Sequence, residues 1–143
     1  YLSDPDAAWL CDDRGACGGL AADARFVLAG DLNADRDDGD GRREAIAALL
    51  DTPRVASAFV PRSEGAGPAA VRYGFERRGD VSAHTGDFGP RSGTLRIDYL
   101  LPSKDFSILA GGVFWPLEGA PEAEWTRVTD HHMVWLDLAD PTP

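Results

Sequence analysis

Asp31 and Asn33 are the first pair of residues whose types and spacing suit chemistry at phosphorus. They follow the apolar run of residues 26–29 and lie two positions apart, so an extended backbone can direct both side chains to one side. A carboxylate can orient or deprotonate a water molecule, and an amide can donate to a phosphoryl oxygen. Because Asp, Asn and Gly also favour turns, the pair by itself indicates either a site or a turn.

Two further segments bring polar residues to apolar places. Asp98 interrupts the apolar segment RIDYLL, and Asp130 and His131 come directly before MVWLDL. A buried carboxylate needs a partner, and a histidine suits Asp98 because the carboxylate fixes the imidazole tautomer and raises its pKa. Arg96 or a backbone donor is the alternative partner. Asp130 is a hard oxygen ligand of the kind that Mg²⁺ and Mn²⁺ prefer. In an extended segment His132 points away from His131, which predicts a structural role for it.

The elements that must position these residues are predicted from periodicity and turn residues. Apolar runs predict strands at residues 26–29, 94–101, 107–114 and 133–138. Helical spacing predicts a helix over residues 42–50, which Pro53 ends. Segments 61–70 and 74–93 are rich in Gly, Ser, Pro and charge and are predicted to be loops, and Trp135 is predicted to lie in the core.

Three short motifs occur in a fixed order along the chain. GDLN, RIDYLLPS and TDHH, each flanked by strand-like sequence, resemble the motifs of the endonuclease/exonuclease/phosphatase superfamily, which has the deoxyribonuclease I-like fold. Thr129 occupies the place where that family usually has Ser. The resemblance covers residues 26–138, which is most of the chain.

The resemblance implies roles for five residues. Asp31 is similar to the carboxylate that orients or activates water, and Asn33 to the amide that contacts the scissile phosphate. Asp98 corresponds to the partner of the catalytic histidine, and His131 to that histidine, which also binds the substrate. Asp130 matches a carboxylate at the metal site. We therefore expect a catalytic group at Asp31, Asn33, Asp98 and His131, with the metal at Asp130.

The implied function is hydrolysis of phosphoester bonds that depends on Mg²⁺ or Mn²⁺. The family acts on nucleic acids, lipid phosphates and small phosphate esters, as a nuclease, phosphodiesterase or phosphatase. One alternative is a catalytically inactive recognition module of the same fold. Another is a Ca²⁺-stabilised binding domain of that fold.

The resemblance also implies a particular domain organisation. The family has an Asn, a metal-binding Glu and a segment with His or Tyr ahead of GDLN, whereas residues 1–30 contain neither Glu nor His. We therefore expect residues 1–143 to form one domain that is the C-terminal half of a four-layer α/β/β/α sandwich, with mainly antiparallel or mixed strands and flanking helices. The N-terminal half is then the partner of this chain, and the chain alone is expected to be inactive.

Composition limits the partners and the cellular setting. With 24 acidic and 14 basic residues the net charge is −10, which disfavours tight binding to duplex nucleic acid. No apolar run approaches the roughly 18 residues of a membrane span. Cys11 and Cys17 are either a small disulfide or free thiols, and the disulfide favours a secreted or extracytoplasmic protein. A single lysine, Lys104, among the basic residues suggests a high-GC bacterial genome.

Residues 33–44 form an acidic loop with a second metal pattern. Asn33, Asp35 and Asp37 alternate, and Glu44 follows eleven positions after Asn33, which is similar to the oxygen ligands of an EF-hand loop. Asp38 occupies the place of the usual glycine. The loop is either a Ca²⁺ site or a solvated run of charges. His84 is a lone loop histidine without an evident partner, so we expect a surface or loop-structural residue, with substrate contact as the alternative.

Overall fold

The computed structural model describes residues 1–139, which form short strands and helices joined by long loops. The strands are β1 (Val27–Asp31), β2 (Gly86–Asp87), β3 (Thr94–Leu95), β4 (Asp98–Pro102), β5 (Ser107–Val113) and β6 (Val134–Ala139). The helices are α1 (Arg43–Leu50), α2 (Ala66–Val71) and α3 (Gly89–Ser92), with 3₁₀ segments at Val81–Ala83 and Pro121–Val128. The protein is a mixed α/β structure with small antiparallel sheets and few helices.

The described strands pair as three antiparallel ribbons, β1 with β4, β2 with β3 and β5 with β6. In the first ribbon Val27 is opposite Pro102 at one end and Asp31 is opposite Asp98 at the other. Directly opposite residues of an antiparallel pair place their side chains on the same face. The register of β1 and β4 therefore brings the two carboxylates together.

The strand predicted over residues 94–101 is divided, and the prediction of one continuous strand is wrong. Arg96 and Ile97 separate β3 from β4 because their peptide N–H groups donate to side chains instead of a neighbouring strand. Arg96 N–H donates to Asp35 Oδ2 at 2.8 Å, and Ile97 N–H donates to Thr85 Oγ1 at 3.0 Å. The break lets β4 leave β3 and pair with β1.

The main core lies between α1 and the β1–β4 ribbon. Ile46 and Leu50, four positions apart on α1, are buried against Tyr99 and Leu101 of β4 and against Val55. The i, i+4 spacing places both helix residues on one face. This packing holds the ribbon that carries Asp31 and Asp98.

Segment 61–70, predicted to be a loop, contains the start of α2. Ala66 and Ala69 of α2 are buried against Val113 and Trp115 in a second small core. Pro68 lies in the first turn of the helix, where its missing N–H has no intrahelical partner to lose. The sequence did not predict this helix, because its residues are small and include Gly and Pro, which are typical of loops. Its packing depends on the close approach of the backbone that small residues allow.

Apolar side chains are exposed on the β5–β6 ribbon. Leu109, Met133 and Trp135 are 69%, 62% and 39% exposed. Met133 and Trp135 alternate along the chain and so share a face. The prediction that Trp135 lies in the core is wrong, because the strand turns this side chain outward.

Cys11 and Cys17 are joined by a disulfide in the N-terminal segment. The bond closes a small loop in which the two residues also form an isolated bridge. Among residues 1–139, none of the helices has the length and apolarity that crossing a bilayer requires.

Candidate active site and a second polar cluster

The end of β1 fixes the positions of Asp31 and Asn33. The backbone N–H of Asn33 donates to Asp31 Oδ1 at 2.7 Å, and Asn33 Nδ2 donates to Asp31 Oδ2 at 3.1 Å. Asn33 has a φ of 48°, in the left-handed region that Asn tolerates better than most residues. This turn folds the amide back onto the carboxylate, so the two groups act as one unit.

His131 is held by Asp98. The imidazole Nδ1 lies 3.1 Å from each carboxylate oxygen of Asp98, which leaves Nε2 on the opposite side of the ring. The ring of Phe88 contacts the imidazole edge-on, with centroids 5.6 Å apart. The pair therefore has a defined tautomer, with the proton on Nδ1 when the ring is neutral.

The charges around His131 favour its protonated form. Partial burial lowers the pKa of His131, but the hydrogen bond to Asp98 and the negative charges of Asp98, Asp31 and Asp130 outweigh it. The net effect raises the pKa of His131 above its usual value of 6.5. An imidazolium with a free Nε2–H is a donor for a negatively charged ligand.

Asp130 lies beside this group, on its outer side. Its Oδ1 is 3.9 Å from His131 Nε2, and its side chain is 60% exposed. Asp31, Asp98 and His131 line one open cleft of about 380 Å³. The structure thus gathers Asp31, Asn33, Asp98 and His131, and it places the exposed carboxylate of Asp130 beside His131 Nε2.

Thr129 keeps a hydroxyl at the position where the family motif usually has Ser. Its Oγ1 accepts the backbone N–H of His131 at 3.1 Å. A serine hydroxyl could make the same hydrogen bond, so the difference in this motif leaves the local turn intact.

Thr85 connects the two segments that meet at the His–Asp pair, and the sequence analysis missed it. Its Oγ1 accepts the backbone N–H groups of Ile97 and Asp98, each at 3.0 Å. Its carbonyl accepts the N–H of His132 at 2.7 Å. Thr85 is 1% exposed, and its hydrogen bonds fix the backbone of Asp98 and that of His132, the residue next to His131. A threonine in a Gly-rich segment carries no signal that could have identified this role.

His132 points away from His131, in agreement with the expectation for an extended segment. Its ring stacks on Trp115 with centroids 3.6 Å apart and is 6% exposed. Burial lowers the pKa of His132 to about 4, although the charges of Asp87 and Asp98 oppose the shift. His132 is therefore a neutral, structural residue at neutral pH.

A second polar cluster joins the acidic loop of residues 33–44 to His84. It differs both from the expected EF-hand-like Ca²⁺ site and from a solvated run of charges. Asp35, Asp38 and His84 each offer one ligand atom, and these atoms lie within 4.8 Å of one another, so the group could hold a metal ion. Asp35 is 6% exposed, so the loop is not solvated throughout, and His84 is 2% exposed, so of the expectations for this residue a position at the surface is wrong. Glu44, expected in a Ca²⁺ set, is not part of this group. The sequence could not pair His84 with a loop so distant along the chain.

Comparison with protein families matches residues 1–131 to the family model described as Endonuclease/Exonuclease/phosphatase family. The matched range includes Asp31, Asp98 and His131. Comparisons with curated proteins and with solved structures gave no match.

Proposed function

Because the chain belongs to the endonuclease/exonuclease/phosphatase family, we propose that its Asp31–Asp98–His131 group takes part in metal-dependent hydrolysis of phosphoester bonds. The observation that carries the proposal is the hydrogen-bonded pair of Asp98 and His131 beside the carboxylate of Asp31. Displacement at a phosphate requires a base, here Asp31, and a cationic donor, here His131, and both face an open cleft that can admit the substrate.

In this proposal His131 stabilises the charge that develops on the phosphate. Its Nε2–H donates to a phosphoryl oxygen while Asp98 holds Nδ1. The raised pKa of His131 keeps a larger share of the ring protonated near neutral pH. Asp98 is the positioning residue, because it sets the orientation of the ring and its tautomer.

Asp31 prepares the attacking water in the same proposal. Its carboxylate lies at the end of β1 and on the face it shares with Asp98, close enough to His131 for its charge to raise the pKa of that ring. Asn33 Nδ2 donates to Asp31 and limits the rotation of the carboxylate. A fixed carboxylate orients water better than a mobile one.

Asp130 is the residue that we propose binds the divalent cation. Its exposed carboxylate next to a histidine provides the hard oxygen donor that Mg²⁺ and Mn²⁺ take. When bound, such an ion offsets negative charge on the phosphoryl oxygens. The fit rests on the exposure of this carboxylate, which is 60%, and on its position 3.9 Å from His131 Nε2, where a cation and the ring would face the same phosphate.

We also propose that the 143 residues are the C-terminal half of an α/β/β/α sandwich. The exposed apolar side chains of Leu109, Met133 and Trp135 at the β5–β6 ribbon support this. A second sheet packed on this face would cover them. The complete domain is then the active form, and this chain alone is inactive.

The substrate that we propose is an accessible phosphoester outside the cytoplasm. The Cys11–Cys17 disulfide supports an oxidising setting such as the bacterial exterior. The net charge of −10 disfavours tight binding to a nucleic-acid duplex. A small or lipid phosphate ester, or a loosely bound nucleic acid, fits this charge better.

The test is hydrolysis of a phosphodiester and a phosphomonoester with Mg²⁺ or Mn²⁺ by the chain extended upstream along its gene. We expect activity that a chelator abolishes and that His131→Ala lowers by at least about 100-fold. His132→Phe is the matched control, because it changes the adjacent histidine and preserves the packing on Trp115. A folded protein that hydrolyses neither ester would contradict the proposal and favour the recognition module.

A further inference from the structure

The acidic loop contains a second polar group that the proposed hydrolase does not use. We propose that Asp35, Asp38 and His84 bind a divalent transition-metal ion, Mn²⁺ or Zn²⁺, which ties the acidic loop to the segment that carries His84. Their ligand atoms lie within 4.8 Å of one another. The proposal rests on these residues alone and does not depend on the proposed hydrolase activity.

His84 is the strongest evidence for a ligand. The imidazole is buried, and its Nδ1 is hydrogen-bonded to Thr94 Oγ1 at 2.7 Å. Its Nε2 lies 3.6 Å from Asp38 Oδ2, within ion-pair distance for a protonated ring but longer than a usual hydrogen bond. Histidines that bind metals commonly use one ring nitrogen for the metal and fix the other with an oxygen partner. Thr94 is such a partner, and Nε2 is the nitrogen left for the ion.

The tautomer of His84 decides which ring nitrogen can bind an ion. A neutral imidazole that carries its proton on Nδ1 has its lone pair on Nε2. With Nδ1 donating to Thr94, the Nε2 lone pair would face a carboxylate, and a cation between them would make this contact attractive.

Backbone N–H groups hold the two carboxylates in place. Asp35 accepts N–H groups from Asp37, Asp38 and Arg96 at 2.8–2.9 Å. Asp38 accepts the N–H groups of Arg78 at 2.6 Å and Gly79 at 3.1 Å. Because an ionised carboxylate has about four acceptor positions, both retain capacity for a further ligand. The same N–H groups lock the carboxylates in the orientation that brings them near His84.

The space around the cluster can complete a coordination shell. Asp35, Asp38 and His84 line a cavity of about 420 Å³, which is large enough for several water molecules. Three arginines also line it: Arg36, whose Nη1 donates to Asp51 at 3.2 Å, Arg62, and Arg96, whose charge interacts with that of Asp35. Arg62 Nε donates to Asp80 at 2.7 Å, and the Arg96 guanidinium lies over the Tyr99 ring, 4.6 Å from its centroid.

The donor set selects the class of metal. Two carboxylates with one imidazole suit Mn²⁺ or Zn²⁺, whereas Ca²⁺ takes oxygen ligands only and Mg²⁺ favours oxygen and water. The ion would link residues that follow β1 to the segment before β2. It would therefore stabilise the loop that leads away from Asp31 and Asn33, without entering the cleft of His131.

The experiment measures binding of Mn²⁺ and Zn²⁺ to chelator-stripped chain by calorimetry, together with the melting temperature. We expect one ion to bind at this cluster and the melting temperature to rise. His84→Gln should weaken the binding at least about tenfold, and Thr94→Val, which removes the oxygen partner of Nδ1, about 10- to 100-fold. His131→Gln and Asp130→Asn should leave this ion bound, because they alter only the proposed hydrolase site.

Asp38→Asn provides a second variant if His84→Gln does not fold, since its amide oxygen can still accept a backbone N–H. Circular dichroism checks the fold of each variant. The proposal is overturned if the wild-type chain binds neither ion, or if folded His84→Gln and Asp38→Asn bind as tightly as the wild type. Loss of binding in Asp130→Asn alone would assign the ion to the other site and would also overturn it.

Discussion

Asp31 and Asp98 lie directly opposite each other where the β1–β4 pair ends. Two like charges in this arrangement destabilise a sheet, unless a cation lies next to both. His131 lies beside this pair: its Nδ1 is 3.1 Å from Asp98 Oδ1, and the charges of Asp98 and Asp31 both raise its pKa, which favours the cationic form of the ring. The register of one strand pair thus creates the electrostatic environment of the histidine.

Asp98→Asn should lower the pKa of His131, since it removes both the charged acceptor of Nδ1 and the nearest negative charge. An NMR titration of the His131 ring protons measures the change without any substrate. Asp31→Asn is the matched control and should lower this pKa less, because Asp31 acts on the ring through its charge and not through a hydrogen bond. An unchanged His131 pKa in Asp98→Asn would show that the pair does not form in solution.

The same pair predicts how stability depends on pH. The folded pKa of His131 is raised above 6.5, so its contribution to stability is fully present below pH 6.5 and is lost as the pH rises through the folded pKa. We therefore expect His131→Gln to destabilise the chain more at pH 5.5 than at pH 9. Urea unfolding at the two pH values measures this, and an equal destabilisation at both would contradict it.

Burial of His132 predicts a loss of stability in acid. The pKa of His132 is about 4 in the folded chain and 6.5 in the unfolded chain. Between these two pH values the unfolded chain binds a proton at this residue and the folded chain does not. Stability should fall as the pH falls from about 6.5 to about 4, by at most about 3 kcal/mol from this group. The lowered pKa of buried His84 also makes the stability fall as the pH falls.

The measurement for His132 is the unfolding free energy against pH for the wild type and for His132→Phe. The variant keeps an aromatic ring against Trp115 and should lose part of the pH dependence. Identical slopes between pH 4 and 6.5 would rule out His132 as a source.

Thr85→Val should destabilise the fold and also reduce hydrolysis by the complete domain. The change leaves the N–H groups of Ile97 and Asp98 without their shared acceptor, at a cost of about 1–3 kcal/mol. Because Asp98 then loses its anchor, we expect kcat to fall more than KM rises. Thr85→Ser retains the hydroxyl and should restore kcat. Failure of Ser to restore it would show that Thr85 acts only through packing.

The pH profile of hydrolysis tests the protonated form of His131. Since the imidazolium is the proposed donor, kcat/KM should fall as the pH rises through the raised pKa of His131. Asp98→Asn should move this decline to lower pH, in parallel with the NMR titration. A decline at the same pH in both proteins would assign it to another group.

Much of the framework was predictable because it depends on neighbours in sequence. The apolar spacing of residues 42–50 predicted α1, and apolar runs predicted β1, β5 and β6 within a few residues. Extended geometry also predicted that His132 turns away from His131. The prediction failed where a side chain replaces the partner strand, as at Arg96 and Ile97, and where packing depends on small residues, as in α2.

From sequence alone, periodicity determined most of the elements and the three motifs determined the residues expected at the site. The motifs also predicted the pair of Asp98 and His131, for which the structure gives the contact, whereas only the tertiary structure decided that Thr85 supports this pair and that His84 is buried with Asp35 and Asp38. The physical reason is that apolar periodicity acts over a few residues. The burial of a polar side chain depends on which distant group satisfies it, and that partner is set by strand register and loop packing.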